Sequence, residues 1–486
     1  MSKSIQRLNI STLAFIAVAA LLLFLALRAL LFLDVEGSPF PHMDDWQYQQ
    51  DMSFLTAVLM PNNENFQAFT NALYWLAPRI NIPFWTLRYV SFVTYIFMLF
   101  MLYGRLKPYV PKKRRFLLLL AFAPCFSAYM CGNLLWTSLI QIWIFFILIL
   151  AAIKYGFELP QTPKNQILTF ICLILSVMAM NMTLALIFAA LYFLRTLYRA
   201  KSLTDREFSS SIMMSALVII TTLTVLSGIR HADASISYKP LLTAPYWLYL
   251  SYGLTGVLNG FRISAENTTF YYITGAILIL WIAFLILRQI KTEKNHALIA
   301  LSVMLLGGFA IITLLRQEHI LAIHWHVSRH IVYAIFLIPV IYALGANDKL
   351  KSVHIAADIL LVTTLLTASP IYDNIKLRNN FGPERITDIC LVQNITYNPL
   401  HLPFHCRRNF TDIRIPLQYF LTHDTAFKTQ TRPIYRLSGK RKILSHIFPL
   451  AQQQIKHINR LFSISHAEFD FNRHDKSTPI KYQQSH

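Results

Sequence analysis

The chain has 486 residues, 55% of them hydrophobic and only 14% charged, with a mean hydropathy of +0.46. Soluble domains carry about a quarter of their residues as Asp, Glu, Lys or Arg, so this composition excludes an ordinary soluble enzyme. Lys and Arg number 44 against 23 Asp and Glu, a formal net charge of +21. The cations fall between apolar runs rather than along one face, which reads as positive-inside loops attracted to anionic lipid and not as a nucleic-acid surface.

Apolar runs near the length of a bilayer-crossing helix recur along the chain, so the pattern predicts an all-α polytopic membrane protein. Lys3 and Arg7 precede the first run, 11–33. It is longer than a signal-peptide core and no small-residue cleavage site follows, so it is expected to stay as a first helix with the N-terminus inside. A long outer loop, 34–83, comes next. A second helix near 84–103 returns to Arg105, Lys107 and the run Lys112–Arg115. A third is expected through FLLLLAFAPCFSAYM, and a fourth near 134–153, after the short turn GNLLWTS, leads back to Lys154 and Lys164.

The apolar stretch 167–194 is too long for one crossing and carries Asn181 and Thr183 at its middle, so it predicts a tight helical hairpin. Arg195, Arg199, Lys201 and Arg206 follow it on the inner side. A seventh helix near 212–228 precedes PYWLYLSYGLTGVLNGF, an aromatic, glycine-broken segment. Were this segment a full crossing, Arg288–Lys294 would lie outside, so it is expected to be interfacial or re-entrant. Further helices are expected near 270–287, 297–315, 330–344 and 355–368, about eleven crossings in all. Residues 371–486 contain no spanning run and are expected outside. There Cys390 and Cys406 flank a short loop, and in an oxidising space they can form a disulfide.

Acidic residues are scarce, yet Asp44 and Asp45 stand side by side in the first outer loop, within PHMDDWQYQQ. Carboxylates held at the membrane interface lose solvation, which raises pKa and prepares a general base. Adjacent carboxylates also favour a shared proton or a divalent cation. A solvated loop that only stops the helix is the ordinary alternative. No P-loop, Rossmann glycine pattern or serine-hydrolase elbow occurs, so no nucleotide site is expected.

Three stretches carry a resemblance: HMDDWQY followed by PNNENFQAF, then NLLWTSLIQ, then HVSRHIVYAIFLIP. Together they resemble the GT-C superfamily of bacterial integral-membrane glycosyltransferases, over roughly the first 345 residues. His330 stands where those proteins have tyrosine after Ser-Arg, and Asn65–Phe66 where they often have histidine and a base. The resemblance implies a polyprenyl-phosphate-linked sugar as donor and an envelope glycan or lipid as acceptor, such as O-antigen or lipopolysaccharide. It also implies a site facing the periplasm from the bacterial inner membrane. In that frame Asp44 is the expected base and Asp45 its orienter or a ligand for a divalent cation, with the roles exchangeable. Arg329 and Arg316 would grip the donor phosphate, since Arg meets phosphate oxygens bidentately. His330 is a further phosphate contact, Glu64 and Trp46 shape the acceptor side, and Arg79 and Arg88 are additional cations. The ordinary role of Arg88 is snorkelling at the interface.

His319, His324, His326 and His330 crowd one turn, but 324 and 326 do not share a helical face, so zinc is disfavoured. The rival class is a transporter or lipid flippase, for which repeated halves and midplane charges are expected. A non-catalytic partner in envelope polysaccharide assembly is a third reading.

Overall fold

The computed structural model describes residues 10–36, 52–59, 61–62, 65–80, 82, 86–127, 130, 134, 137–179, 182–199, 204–228, 268–290, 295–315 and 328–367. All belong to one unit, Met1–Asp424; the second unit, Thr425–His486, lies outside them. Apart from one small strand pair, the regular elements among the described residues are helices. Three of these are long and apolar enough to cross a membrane: Ser11–Leu31, Leu87–Tyr109 and Ile140–Glu158.

Helix α1, Ile10–Glu36, is built mainly from alanine, leucine and phenylalanine, with no Gly or Pro and with Arg28 inside it. Such residues lose little freedom on becoming helical. Leu25, Ala29 and Leu33 are buried at four-residue spacing, while Leu23, Phe24, Leu27 and Leu31 stay exposed. One stripe packs inward, and the rest is a surface that hydrocarbon covers without penalty.

The first loop forms α2 (Phe54–Leu59), a strand pair β1 (Pro61–Asn62) and β2 (Asn65–Phe66), and α3 (Ala68–Arg79). The strands pair antiparallel, Pro61 against Phe66 and Asn62 against Asn65. Ser53 caps α2: its Oγ accepts the Thr56 N–H at 3.3 Å. Trp75 fastens α3 to α2, donating its indole N–H to the Met52 carbonyl at 2.9 Å with Phe54 edge-on at 5.0 Å.

Next come α4 (Leu87–Leu106), α5 (Arg115–Leu120) and α6 (Ile140–Ile153). The expected third crossing, from residue 116 to 130, is not one continuous helix. Pro124 lacks an N–H, and its ring would meet the carbonyl four residues back, at Leu120, where α5 stops. The chain turns instead and makes a short 3-10 segment, Ala123–Phe126, that is wholly buried. The expected fourth helix also starts later, at Ile140, behind a 3-10 turn at Thr137–Leu139.

Helices α7 (Pro163–Ala179) and α8 (Met182–Tyr198) occupy the run expected to be a hairpin. Thr162 Oγ1 accepts the Asn165 N–H and Pro163 opens the helix, where its missing N–H costs nothing. Tyr192, near the far end of α8, donates to Gln161 Oε1 at the foot of α7. The two helices therefore run in opposite directions.

The remaining helices are α9 (Asp205–Gly228), α10 (Thr268–Gln289), α11 (His296–Leu315), α12 (Ser328–Ala346) and α13 (Lys351–Thr367). Gly308 lets α11 pass close to α8 and α12. A Cβ there would lie 2.8 Å from Leu184 Cδ2 and 3.0 Å from Tyr333 Cε1. Small residues at such crossings are how membrane helices gain packing contact without a hydrophobic drive between them. At the centre, Tyr95, Trp143 and Phe336 are buried together, with Tyr95 and Trp143 centroids 4.7 Å apart.

Polar contacts join the helix ends in one group. Arg105, closing α4, pairs with Glu158 after α6. Arg195, in the last turn of α8, donates to the Gly156 and Phe157 carbonyls. Gln166 near the start of α7 donates to Ser211 of α9 at 3.2 Å. Arg288 of α10 pairs with Asp348 between α12 and α13. Asn347 donates to Gln289 at 3.0 Å and to Asn295, just before α11, at 2.9 Å. Arg114, just before α5, reaches Asp358 of α13 at 3.0 Å. These contacts bring the basic clusters together, and the helices from α4 onward alternate toward and away from them. This is the basic end of the bundle.

Candidate functional site

Opposite the basic end, the first turns of α4, α6 and α12 and the last turns of α1, α7 and α11 define the loop end. The first-loop helix α3 is seated here. Gln67, just before it, and Thr70, Asn71 and Tyr74 within it are all buried. Thr70 Oγ1 donates to Gln141 Oε1 at 3.4 Å, joining α3 to the first turn of α6. Gln141 is 3% exposed. It is the last residue of NLLWTSLIQ, one of the stretches that carried the resemblance.

Arg88 stands in the first turn of α4 and is 7% exposed, so it does not snorkel at the surface as an interfacial arginine would. Its Nη1 donates to the Leu33 carbonyl at 3.4 Å, in the last turns of α1. A cation is favoured at a helix C-terminus, where unpaired carbonyls concentrate negative charge. One turn deeper, Trp143 donates its indole N–H to Ser91 Oγ at 3.1 Å. Below that, the Tyr95 hydroxyl donates to the Cys125 carbonyl at 2.5 Å. A column of polar groups thus runs from the loop end into the apolar core. Buried polar groups are costly unless bonded, and these are bonded within the protein.

Arg79 is placed differently. It lies exposed at the C-terminal end of α3, with its guanidinium 3.7 Å from the Trp75 ring centroid and Nη1 donating to the Trp75 carbonyl at 2.7 Å. That is the role of a C-terminal cap. Arg329 and His330 stand in the first turn of α12, at the loop end. Arg316 follows the last residue of α11 and lies outside the described residues, as do Asp44, Asp45, Trp46, Glu64, Cys390 and Cys406. Among the described residues no group of three or more His, Cys, Asp or Glu side chains is arranged to hold a metal ion. Cys125 is a buried free thiol and Cys172 a half-buried one.

Residue-by-residue reading undervalued Arg88 and passed over Gln67, Thr70 and Asn71. The usable signal was a polar residue within an otherwise apolar helical stretch, which Gln141 and Ser91 also show. No family model matches the chain, and neither a curated protein nor a solved structure does.

Proposed function

We propose that this protein is a polytopic membrane glycosyltransferase that moves a sugar from a polyprenyl-phosphate-linked donor to an envelope glycan or lipid. It crosses the bacterial inner membrane about eleven times, with the basic end in the cytoplasm and the loop end in the periplasm. The observation that carries the reading is the seating of α3, from the loop that bears the acidic motif, on the loop end through Thr70 and Gln141, on the same end as buried Arg88.

In this reading Asp44 takes the proton from the acceptor hydroxyl, and Asp45 orients it or holds a divalent cation. Arg329 and Arg316 hold the donor phosphate and stabilise it as it leaves. Arg88 supplies a buried positive charge at the same end of the bundle. The absence of a nucleotide-binding pattern in the sequence favours a lipid-linked donor. The periplasmic tail after residue 370 helps hold the acceptor.

The test uses membranes supplied with a labelled polyprenyl-phosphate sugar and envelope acceptors. Asp44→Asn keeps the side-chain volume and removes the base, a loss of about 10²–10⁴-fold. Arg329→Ala should fail through donor binding, so excess donor should partly rescue it and leave Asp44→Asn unrescued. Full transfer by both Asp44→Asn and Asp45→Asn at normal protein levels would make the acidic pair structural. Reporter fusions after Lys113, Arg206 and Lys294 should each report cytoplasm, and a periplasmic signal at any of them would overturn the orientation.

A further inference from the structure

The two helices of the first loop carry their polarity the wrong way round for water. Gln67, Thr70, Asn71 and Tyr74 recur at three- and four-residue spacing, a single stripe, and all are buried. Leu76, on the opposite side of α3, is 43% exposed, and Ile80, one turn after it, is 51% exposed. On α2, Phe54, Leu55 and Leu59 are exposed as well, Leu55 by 66%. A helix in water buries its apolar stripe and shows its polar one. A buried amide stripe beside an exposed apolar surface means that something other than water lies outside. From Met52 to Ile82 the only charged side chains are Glu64 and Arg79.

Polar groups that border this surface bond within the unit, as hydrocarbon surroundings require. Ser53 Oγ and Thr56 Oγ1, both on exposed residues, bond to each other at 2.7 Å. The Trp75 indole N–H is engaged by the Met52 carbonyl. Past the end of α3, the Ile80 N–H donates to the Leu76 carbonyl at 3.1 Å and the Ile82 N–H to the Ala77 carbonyl at 2.8 Å. These are carbonyls that a helix terminus otherwise leaves open. Arg79 over Trp75 is a cation and aromatic pair of the kind found where a bilayer meets water. The apolar surface also leads into a membrane helix. Four residues separate Ile82 from Leu87, where α4 begins, and Val90, Val93, Phe97 and Phe100 form an exposed stripe along α4. The exposed side chains of α2 and Leu76 and Ile80 are aliphatic or phenyl, which suits fluid acyl chains rather than a partner that must be oriented.

We propose that α2 and α3 lie in the bilayer at the loop end, with Phe54, Leu55, Leu59, Leu76 and Ile80 against the acyl chains of the bulk phospholipid. This part of the first loop is then a lipid-facing element of the bundle and not an aqueous one. The inference rests on the reading of the chain as membrane-embedded, and not on any transferase activity.

The experiment reconstitutes the full wild-type chain in phosphatidylglycerol and phosphatidylcholine nanodiscs that include phosphatidylcholine with a diazirine on its acyl chain. After irradiation, peptide mass spectrometry locates the lipid adducts. A parallel sample is exposed to hydroxyl radicals generated in the water. The peptides that carry Leu55 and Leu59, and Leu76 and Ile80, should take lipid adducts as strongly as the α4 peptide with Val93 and Phe97, and should resist the radicals as that peptide does. The exposed loop with Lys107, Lys112 and Lys113 should show the reverse. Oxidation of the α2 and α3 peptides without lipid adducts would overturn the inference, because water then covers them. Absence of both labels would overturn it too, because another segment or a second copy of the chain then covers them. Loss of lipid adducts on the α4 peptide as well would instead refute the membrane reading, which separates the two failures.

Discussion

Arg288 grips both oxygens of the Asp348 carboxylate. Its Nε donates to Oδ2 at 2.5 Å and its Nη2 to Oδ1 at 2.9 Å. The same carboxylate accepts the Leu350 N–H at 2.8 Å, where α13 begins. One acidic side chain thus ties the end of α10 to the turn between α12 and α13.

The Arg288 hydrogen bond holds the Asp348 carboxyl below its usual range, against the opposing effect of burial. A carboxyl whose folded pKa is depressed adds stability above its unfolded pKa and loses it as pH falls through the folded value. The unfolded value is about 3.9, so thermal stability should be flat in this respect above about pH 4 and fall below it. Asp348→Asn should unfold at lower temperature at pH 7 and show a shallower further loss between pH 4 and pH 3. Melting curves of the detergent-solubilised protein measure this. A variant with the wild-type acid slope would show that Asp348 does not drive the loss.

Gly308→Val should destabilise the crossing of α11 with α8 and α12. Its new Cβ would sit 2.8 Å from Leu184 Cδ2, closer than real contacts allow. Overpacking of this kind costs about 1–3 kcal/mol. Pairing it with Leu184→Ala should recover part of the loss in the same thermal assay, because the clashing methyl is removed.

Arg88 and Arg79 should separate cleanly. Arg88 is buried and bonded to the Leu33 carbonyl, whereas Arg79 is exposed on its own helix end. Arg88→Ala removes a charged hydrogen-bond donor from the interior, a cost of about 1.5–3 kcal/mol, and should reduce transfer as well. Arg79→Ala should stay within about 0.5 kcal/mol, as surface changes do, and keep most of the transfer. Melting temperature and transfer measured together decide it, and equal effects of the two variants would refute the distinction.

On the proposed orientation, which puts the tail in an oxidising space, Cys390 and Cys406 should be joined, since the intervening loop closes at modest entropic cost. The wild type should migrate differently with and without reductant, and Cys406→Ser should not. Identical alkylation of both thiols before and after reduction would remove the bridge.

Local pattern determined much of this molecule. Uniform hydropathy placed α1, α4, α10, α11, α12 and α13 within a few residues of their observed spans, because a helix of apolar residues needs only its own backbone to satisfy its hydrogen bonds. The polar pair Asn181 and Thr183 announced the break between α7 and α8. The basic clusters that alternate along the chain became neighbours at one end of the bundle. What hydropathy could not decide was anything that depends on which helix covers which. Pro124 stands in a run as apolar as any crossing, and its effect at Leu120 is steric, not hydropathic. Arg79 and Arg88 look alike in the sequence. One is exposed and the other buried because α1 ends beside the first turn of α4 and its Leu33 carbonyl accepts the Arg88 guanidinium. The acidic partners of the basic end, Glu158, Asp348 and Asp358, were likewise decided by the tertiary fold. Ion pairing across a bundle requires side chains from different helices at the same depth, and depth is a property of packing.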